Sequence, residues 1–422
     1  MGKLIINGNH ELSGEVKISG NKNSALAVIA ATLLTNEEVI LNNVPHIADV
    51  LTMFELIEQL GSTVIQISHN SFKIKSNFAY NNLKKDNVSK IRGSVLLLAP
   101  MLVREQKVEM APPGGDVIGL RRLDTHIGGF KSLGIDTQLK DNGNILLKGK
   151  LTSGNVYLEE ASVTATENMI MAAVLCEGES FIYNAACEPH VQDLCLMLNS
   201  MGAKIEGIGS NKLTIVGVEK LGGTSFSISP DYMEIGSFIA LAVATNSELT
   251  LYNVKGLDMN PILNGFNKFG IKVEQTDELI IIRKDQDRKI PKVNFTPKLD
   301  DAPWPGFPSD LIPIMCVLAT QLEGPVLIHE KMFETRMFFI DNLIKMGADI
   351  ILCDPHRVVI NGISKLKPSN VTSPDIRAGI SLLIAALCVD GNTTIDNIGQ
   401  IERGYEDFLF KLTDIGANII RY

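Results

Sequence analysis

Charged side chains recur along this 422-residue sequence at regular spacing. Lys22, Arg92, Ser162, Tyr232, Asp310 and Arg377 follow one another at intervals of 67 to 78 residues, each where a short alternating stretch runs into a long apolar one. A helix start presents unpaired N–H groups and the positive end of its dipole, so such junctions suit anions. A second series of loops is equally loaded. APPGGDVIGLRRLDTH carries Asp116, Arg121, Arg122, Asp124 and His126; ACEPHVQD carries Glu188 and Asp193; MFETRMFF carries Arg336; QIERGYED carries Arg403. Arginine matches phosphate and carboxylate bidentately, and lysine adds a point charge. Arg92, Arg121, Arg336 and Arg403 with Lys22 therefore point to a highly anionic substrate. Any one of these residues could be a helix cap or a surface charge. Their repetition at equivalent places argues for function.

The elements that must carry these residues are repeated six times. Each unit of about 70 residues ends a helix with a glycine (Gly61, Gly134, Gly202, Gly270, Gly347, Gly416) and then opens a strand, as in QLGSTVIQI and DIGANIIRY. The pattern reads strand, helix, strand, helix, strand, strand. The first helix of each unit is apolar nearly all round, as in SLLIAALCV, so it should be buried against other helices. The second is amphipathic, as in DVLTMFELIEQLG, with glycine as its stop signal. Six such units predict an α/β fold of two domains with three repeats each, the apolar helices inside and sheets around them. KLDDAPWPGFPSD is too proline-rich for either element and reads as a functional loop, with Trp304 as its packed anchor.

Composition narrows the function. A formal net charge of −9 and a pI near 5.4 argue against a nucleic-acid partner. No stretch is long and apolar enough for membrane insertion, and MGKLIINGNHEL lacks the order of a signal peptide, so a cytoplasmic location is expected. The six cysteines form no CxxC pair and read as reduced, packed thiols. No metal site or cofactor motif is legible. PPGGD could cradle a phosphate, yet no Lys-Ser/Thr follows it, which removes the nucleotide P-loop. His126 and His190 lack ligand spacing and read as ordinary polar histidines.

At SGNKNSAL, the PGG loop with GLRRLDTH, NAACEPHVQDL, DDAPWPGFPSDL, MFETRMFF, SPDIRAGISLL and IERGYEDFLFKLTDIGANI, the chain resembles the UDP-N-acetylglucosamine enolpyruvyl transferases. The resemblance runs end to end. It implies two inside-out α/β barrels, with one domain at 22–229 carrying the Asp116 loop and the other formed by 1–21 and 230–422. It also implies a reaction without cofactor or metal, in which the enolpyruvyl group of phosphoenolpyruvate passes to the 3′-hydroxyl of UDP-N-acetylglucosamine and phosphate leaves.

By that resemblance Lys22, Asn23, Arg121 and Arg403 would hold phosphoenolpyruvate, and Asp310 would be the base at the sugar hydroxyl. The sugar nucleotide would meet Arg92, the stretch Arg121, Arg122, Leu123, Asp124 and Thr125, then Ser162, Val163 and Thr164, and Met332. Glu188, Arg336, Asp375 and Arg377 would form a supporting polar shell. Three departures stand out. Asp116 occupies the place of the family's usual loop cysteine, Arg122 and Thr125 replace a common proline and leucine, and Glu160 stands where lysine is frequent.

Overall fold

The computed structural model describes residues 2–81, 83–115, 118–119, 122–291 and 296–422. Six apolar helices organise it: α1 (Lys22–Ala31), α2 (Leu98–Glu105), α3 (Val163–Ala173), α4 (Tyr232–Ala244), α5 (Ile312–Thr320) and α6 (Ile376–Leu387). Every residue of α4, α5 and α6 is buried. Such helices have no polar face to give to water, so they pack on one another, and α4, α5 and α6 do so. The chain divides into two compact units. One contains residues 1–19, 117–121 and 230–422; the other contains 20–116 and 122–229. Gly20 and Asn21 thus count with the second of these, and Ile118 and Gly119 with the first.

Three sheets cover the helices of the first unit. Their orders are Asn370–Thr372, Asn392–Asp396, Lys3–Asn7, Asn418–Arg421; then Glu274–Gln275, Leu279–Ile282, Glu248–Tyr252, Ser13–Lys17; then Lys298–Asp300, Gly324–His329, Arg357–Gly362, Asp349–Asp354. Alternate residues such as Leu249 and Leu251, or Val326 and Ile328, are fully buried, the period-two signature of a sheet with one face on a core. The other unit has two four-stranded sheets and one of three strands. Among the described residues no sheet closes on itself; the apolar helices lie inside and the sheets outside, as the expected inside-out arrangement has it. Three separate sheets cover the helices of each unit.

The two chain crossings are tied within their own units. Ser13–Lys17 pairs in parallel with Glu248–Tyr252, and Thr224–Ser227 with Glu38–Asn42. The Asn21 N–H donates to the Ser229 carbonyl and the Asp231 N–H to the Ser19 carbonyl, both at 2.8 Å. Gly20 is required here: a Cβ on it would lie 1.7 Å from the Asn43 carbonyl oxygen. No helix among the described residues is long and apolar enough to cross a membrane. The six cysteines are unbridged, and Cys176, Cys187, Cys195 and Cys316 are buried as small apolar side chains.

Because α4 carries its unit's core, Phe238, fully buried against Phe408 with ring centroids 5.2 Å apart, is a sensitive probe. Phe238→Ala should cost about 3–5 kcal/mol in denaturant unfolding. A loss below about 1 kcal/mol would show that this helix is not central to the core.

Candidate active site

Asp310 lies in a short 3-10 turn, Ser309–Leu311, that leads into α5. Its carboxylate is held at both oxygens: Arg336 Nη2 donates to Oδ1 and Arg377 Nε to Oδ2, each at 2.9 Å. The two arginine side chains are only 3% and 7% exposed, while that of Asp310 is 27% exposed. The pairs are therefore locked from the inside, and the carboxylate looks outward. Arg377 is the second residue of α6, whose cap Asp375 accepts from the backbone N–H groups of Arg377 and Ala378 at 2.8 and 3.0 Å. Its guanidinium lies over the Tyr405 ring, 5.3 Å from the centroid, and the Tyr405 hydroxyl meets Ser237 Oγ at 2.9 Å. Burial works against the charge of Arg377, but Asp310, Tyr405 and Asp231 outweigh it and hold the guanidinium firmly protonated.

Arg336 continues this network inward. Its Nε lies 3.8 Å from Oε2 of Glu330, which is wholly buried. Ser309, the residue before Asp310, donates its hydroxyl to both Glu330 oxygens at 2.8 Å. The N–H groups of Met332 and Phe333 reach Glu330 Oε1 at 3.1 and 3.0 Å. Asp301, also fully buried, accepts from the N–H groups of Lys331 and Met332. Met332 itself is part-exposed above these contacts. Half-buried Arg403, just after the helix Gly399–Glu402, donates to Gln400 Oε1 at 2.8 Å. Ile118 accepts from the Thr335 N–H at 3.3 Å, and Gly119 lies against Glu334.

In the other unit, Lys22 and half-buried Asn23 open α1, capped by Asn21, whose side chain accepts from the Ser24 N–H at 3.0 Å. Lys22 Nζ is 3.1 Å from Asp49 Oδ2, and both side chains are largely buried. Asp193 ties the helix starts together by accepting from the Ser24 hydroxyl and from the Ser229 N–H and hydroxyl. Arg92 opens the turn Arg92–Leu97 that precedes α2, and its guanidinium reaches the Arg122 carbonyl at 3.5 Å. Ser162 caps α3 and Val163 is its first residue. Thr164 Oγ1 lies 3.0 Å from His126 Nε2. Burial, then the nearby Arg92 charge, pushes the His126 imidazole down to about 3, so it is neutral.

The departures have local partners. The Thr125 hydroxyl donates to Glu160 Oε1 at 3.3 Å, and Arg122 pairs with Asp124 at 2.5 Å on the surface. Leu123 precedes the helix Asp124–Ser132. Glu188 stands at the start of the helix Pro189–Ser200. Burial, with Glu188 adding to it, raises the carboxyl of Glu167 well above the usual carboxylate range. Gly114 has no room for a side chain, since a Cβ would lie 1.7 Å from the Ser89 carbonyl oxygen.

A junction of buried arginines on a part-exposed carboxylate, set in three-repeat units, can be compared with known proteins. The family model of EPSP synthase (3-phosphoshikimate 1-carboxyvinyltransferase) matches residues 6–412. The UDP-N-acetylglucosamine 1-carboxyvinyltransferase of Borreliella burgdorferi is 51% identical over 423 residues, covering 99% of both chains. The chain belongs to the UDP-N-acetylglucosamine 1-carboxyvinyltransferase family. The relative of the same name from Treponema denticola is 50% identical, again over 99% of each chain. Among solved structures, the enolpyruvyl transferase NikO from Streptomyces tendae superposes with a TM-score of 0.88 over 100% of this chain and 99% of its own, at 23% identity. That likeness bears on the fold, which is the enolpyruvyl transferase fold.

Within this carboxyvinyltransferase-family chain the structure brings Asp310, Arg336, Arg377 and Asp375 into one direct network, so the two arginines expected as a supporting shell touch the expected base itself. Lys22, Asn23, Arg92, Arg122 to Thr125, Ser162 to Thr164 and Glu188 all fall at helix starts or beside them in the other unit. Asp116 and Arg121 lie outside the described residues. Sequence reasoning missed Asp49, Glu167, Asp301 and Glu330. The doubled Asp300-Asp301 before a proline-rich loop was the available signal for one of them, and buried Glu167 inside an apolar helix run for another.

His126 gives a direct check on this geometry. Its ring should remain neutral down to about pH 4 in an NMR titration, and Arg92→Ala should raise its titration point. Because the folded-state value is depressed, the stabilisation it reports is present at neutral pH and is lost as pH falls from about 6.5 toward 3. Ordinary titration near pH 6.5 would show that the ring is solvated.

Proposed function

We propose that this chain transfers the enolpyruvyl group of phosphoenolpyruvate to the 3′-hydroxyl of UDP-N-acetylglucosamine, releasing inorganic phosphate. The observation that carries this reading is the outward-facing Asp310 carboxylate pinned by two buried arginines, in a chain about half identical along its length to enzymes of that name. In a cell the reaction would be the first committed step of peptidoglycan synthesis and would run in the cytoplasm, with two small-molecule substrates and neither nucleic acid nor membrane as partner.

The chemistry needs a base, a proton donor and cations. Each Asp310 oxygen accepts from an arginine, and the carboxylate is part-exposed, so the 3′-hydroxyl could reach it. As the hydroxyl oxygen bonds to C2 of phosphoenolpyruvate, its proton passes to Asp310, and the methylene carbon takes a proton from a donor. The resulting tetrahedral ketal then loses that carbon-bound proton as the C2–O bond to phosphate breaks. Lys22, Arg121 and Arg403, with Asn23 beside them, would neutralise the phosphate and carboxylate charges through both steps. Arg92, the Arg121–Thr125 stretch, Ser162 to Thr164 and Met332 would hold the sugar nucleotide, and Glu188 and Asp375 would orient these groups. Asp116 would be the proton donor.

A shikimate-type reading rests on the family model's description alone, while relatives at 46–51% identity carry the sugar-nucleotide name. A catalytically inactive binding protein would have no use for Lys22, Asp310 and Arg403 together. Phosphate release from phosphoenolpyruvate decides among the three. It should require UDP-N-acetylglucosamine, fail with shikimate 3-phosphate, and drop about 10²–10⁴-fold in Asp310→Asn. Release with shikimate 3-phosphate, or none with either acceptor, would overturn the assignment.

Asp116 gives a second expectation. A carboxylate is a poor nucleophile toward an epoxide beside a thiolate. Mass spectrometry should therefore find no fosfomycin adduct on the unaltered protein, and an adduct on Asp116→Cys; a stable adduct on the former would refute it.

A further inference from the structure

Two fully buried carboxyl groups lie directly behind Asp310, and the proposed chemistry has not used them. Asp301 follows the strand Lys298–Asp300, and Glu330 follows the strand Gly324–His329. Both accept from the Met332 N–H, at 3.3 and 3.1 Å, so the two carboxyl groups stand side by side. Two ionised carboxylates this close and fully buried would repel each other with no water to screen them, which favours one proton held between them. Together they also hold the turn that leads to Arg336: the N–H groups of Lys331 and Met332 on Asp301, those of Met332 and Phe333 on Glu330. Ser309, the neighbour of Asp310, is fastened to Glu330 as well. The pair therefore grips both ends of the Asp310–Arg336 contact.

We infer that Glu330 is a positioning residue, which keeps Arg336 on Asp310 only while the Asp301–Glu330 pair retains its shared proton. Resting on the reading of Asp310 as base, the argument is one of charge balance. With the proton in place, Asp301 and Glu330 carry one negative charge between them, and Arg336 Nη2 is committed to Asp310. Arg336 Nε, 3.8 Å from Glu330 Oε2, makes no hydrogen bond among the described residues. When the proton leaves, a second buried anion faces that Nε at close range, and the guanidinium is drawn inward from Asp310. Asp310 then loses its orientation toward the hydroxyl, which costs rate rather than substrate binding.

Every group facing Glu330 enters this balance. Arg336 and Asp301 are the charged ones, and Ser309 is a neutral donor. Cys316 on α5 has its thiol pushed far up by burial, with Glu330 adding to it, and stays neutral. His356 donates Nδ1–H to the Glu330 backbone carbonyl at 2.8 Å, not to the carboxyl. The flanking His329 and Lys331 side chains turn to Asp300 instead. Burial pushes the Glu330 carboxyl up to about 8, against the pull of Arg336, with the contact to Asp301 raising it further.

The test is the pH dependence of kcat and KM for phosphate release in the unaltered protein, Glu330→Gln and Asp301→Asn. The unaltered enzyme should lose kcat as pH rises past about 8. Glu330→Gln cannot ionise there, so its alkaline limb should move up by about one pH unit or more, with neutral-pH kcat within about tenfold and KM unchanged. Asp301→Asn removes the anionic neighbour, so its limb should move the other way, toward lower pH. Superimposable limbs in the three proteins, or changes confined to KM, would overturn the proposal.

If the unaltered protein releases no phosphate, the transferase reading fails on its own, and thermal unfolding against pH judges the pair. A raised folded-state value means that stability is lost as pH climbs toward it. The midpoint should fall as pH rises from about 4.5 toward about 8 and level off above that in the unaltered protein, and the fall should be smaller in Glu330→Gln; parallel falls would overturn the shared proton.

Discussion

The carboxylate of Asp310 between Arg336 and Arg377 is the interaction around which its unit is arranged. Buried guanidinium groups are tolerated only where anions meet them closely. The surroundings follow from that demand. Asp375 caps α6 and fixes the backbone of Arg377, Tyr405 offers a ring face, and Glu330 lies behind Arg336. The outward tilt of Asp310, more exposed than either arginine, leaves it able to meet a substrate. A fully enclosed ion pair would be structural; one open on the carboxylate side can take a proton.

The repeat supplies the stage for this arrangement. In each unit the apolar helices are inside, so their starts emerge where the short strands enter, and polar residues gather there without disturbing the core. Asn21, Ser162, Asp231 and Asp375 stand at cap positions of four such helices, and Lys22 and Arg377 one or two residues further on. The equivalence is approximate. Tyr232 opens α4 and packs on Trp304 with ring centroids 5.6 Å apart, while Asp310 belongs to a 3-10 turn ahead of α5. One geometry thus serves packing in one repeat and charge in another.

Much of the fold was legible because helices such as IRAGISLLIAAL admit only an interior location, and glycines such as Gly416 stop helices at a fixed interval. The division into separate sheets was less legible, since pairing between neighbouring sheets depends on edges that a residue pattern does not encode. Of the site, the resemblance pointed to Asp310, Arg336 and Arg377 but not to their direct contact. Asp301 and Glu330 escaped notice because their meaning lies in burial: an acidic residue at a strand end reads as solvated until the structure covers it. Glu160 and Thr125 illustrate the reverse, two substitutions far apart in sequence that become one hydrogen bond in space.

The strand Lys3–Asn7 sits in the middle of its sheet, between Asn392–Asp396 and Asn418–Arg421, and Ser13–Lys17 waits for Glu248–Tyr252. On a ribosome adding about 5–20 residues per second, the strand Lys3–Asn7 would spend roughly 20 seconds or more without its neighbours. The intervening 20–229 unit can complete its own core in that time. An unpaired apolar strand such as LII in this segment is a ready template for the wrong edge. Order of synthesis and order of pairing therefore differ here: Lys3–Asn7 is completed only by strands made about 380 residues or more later.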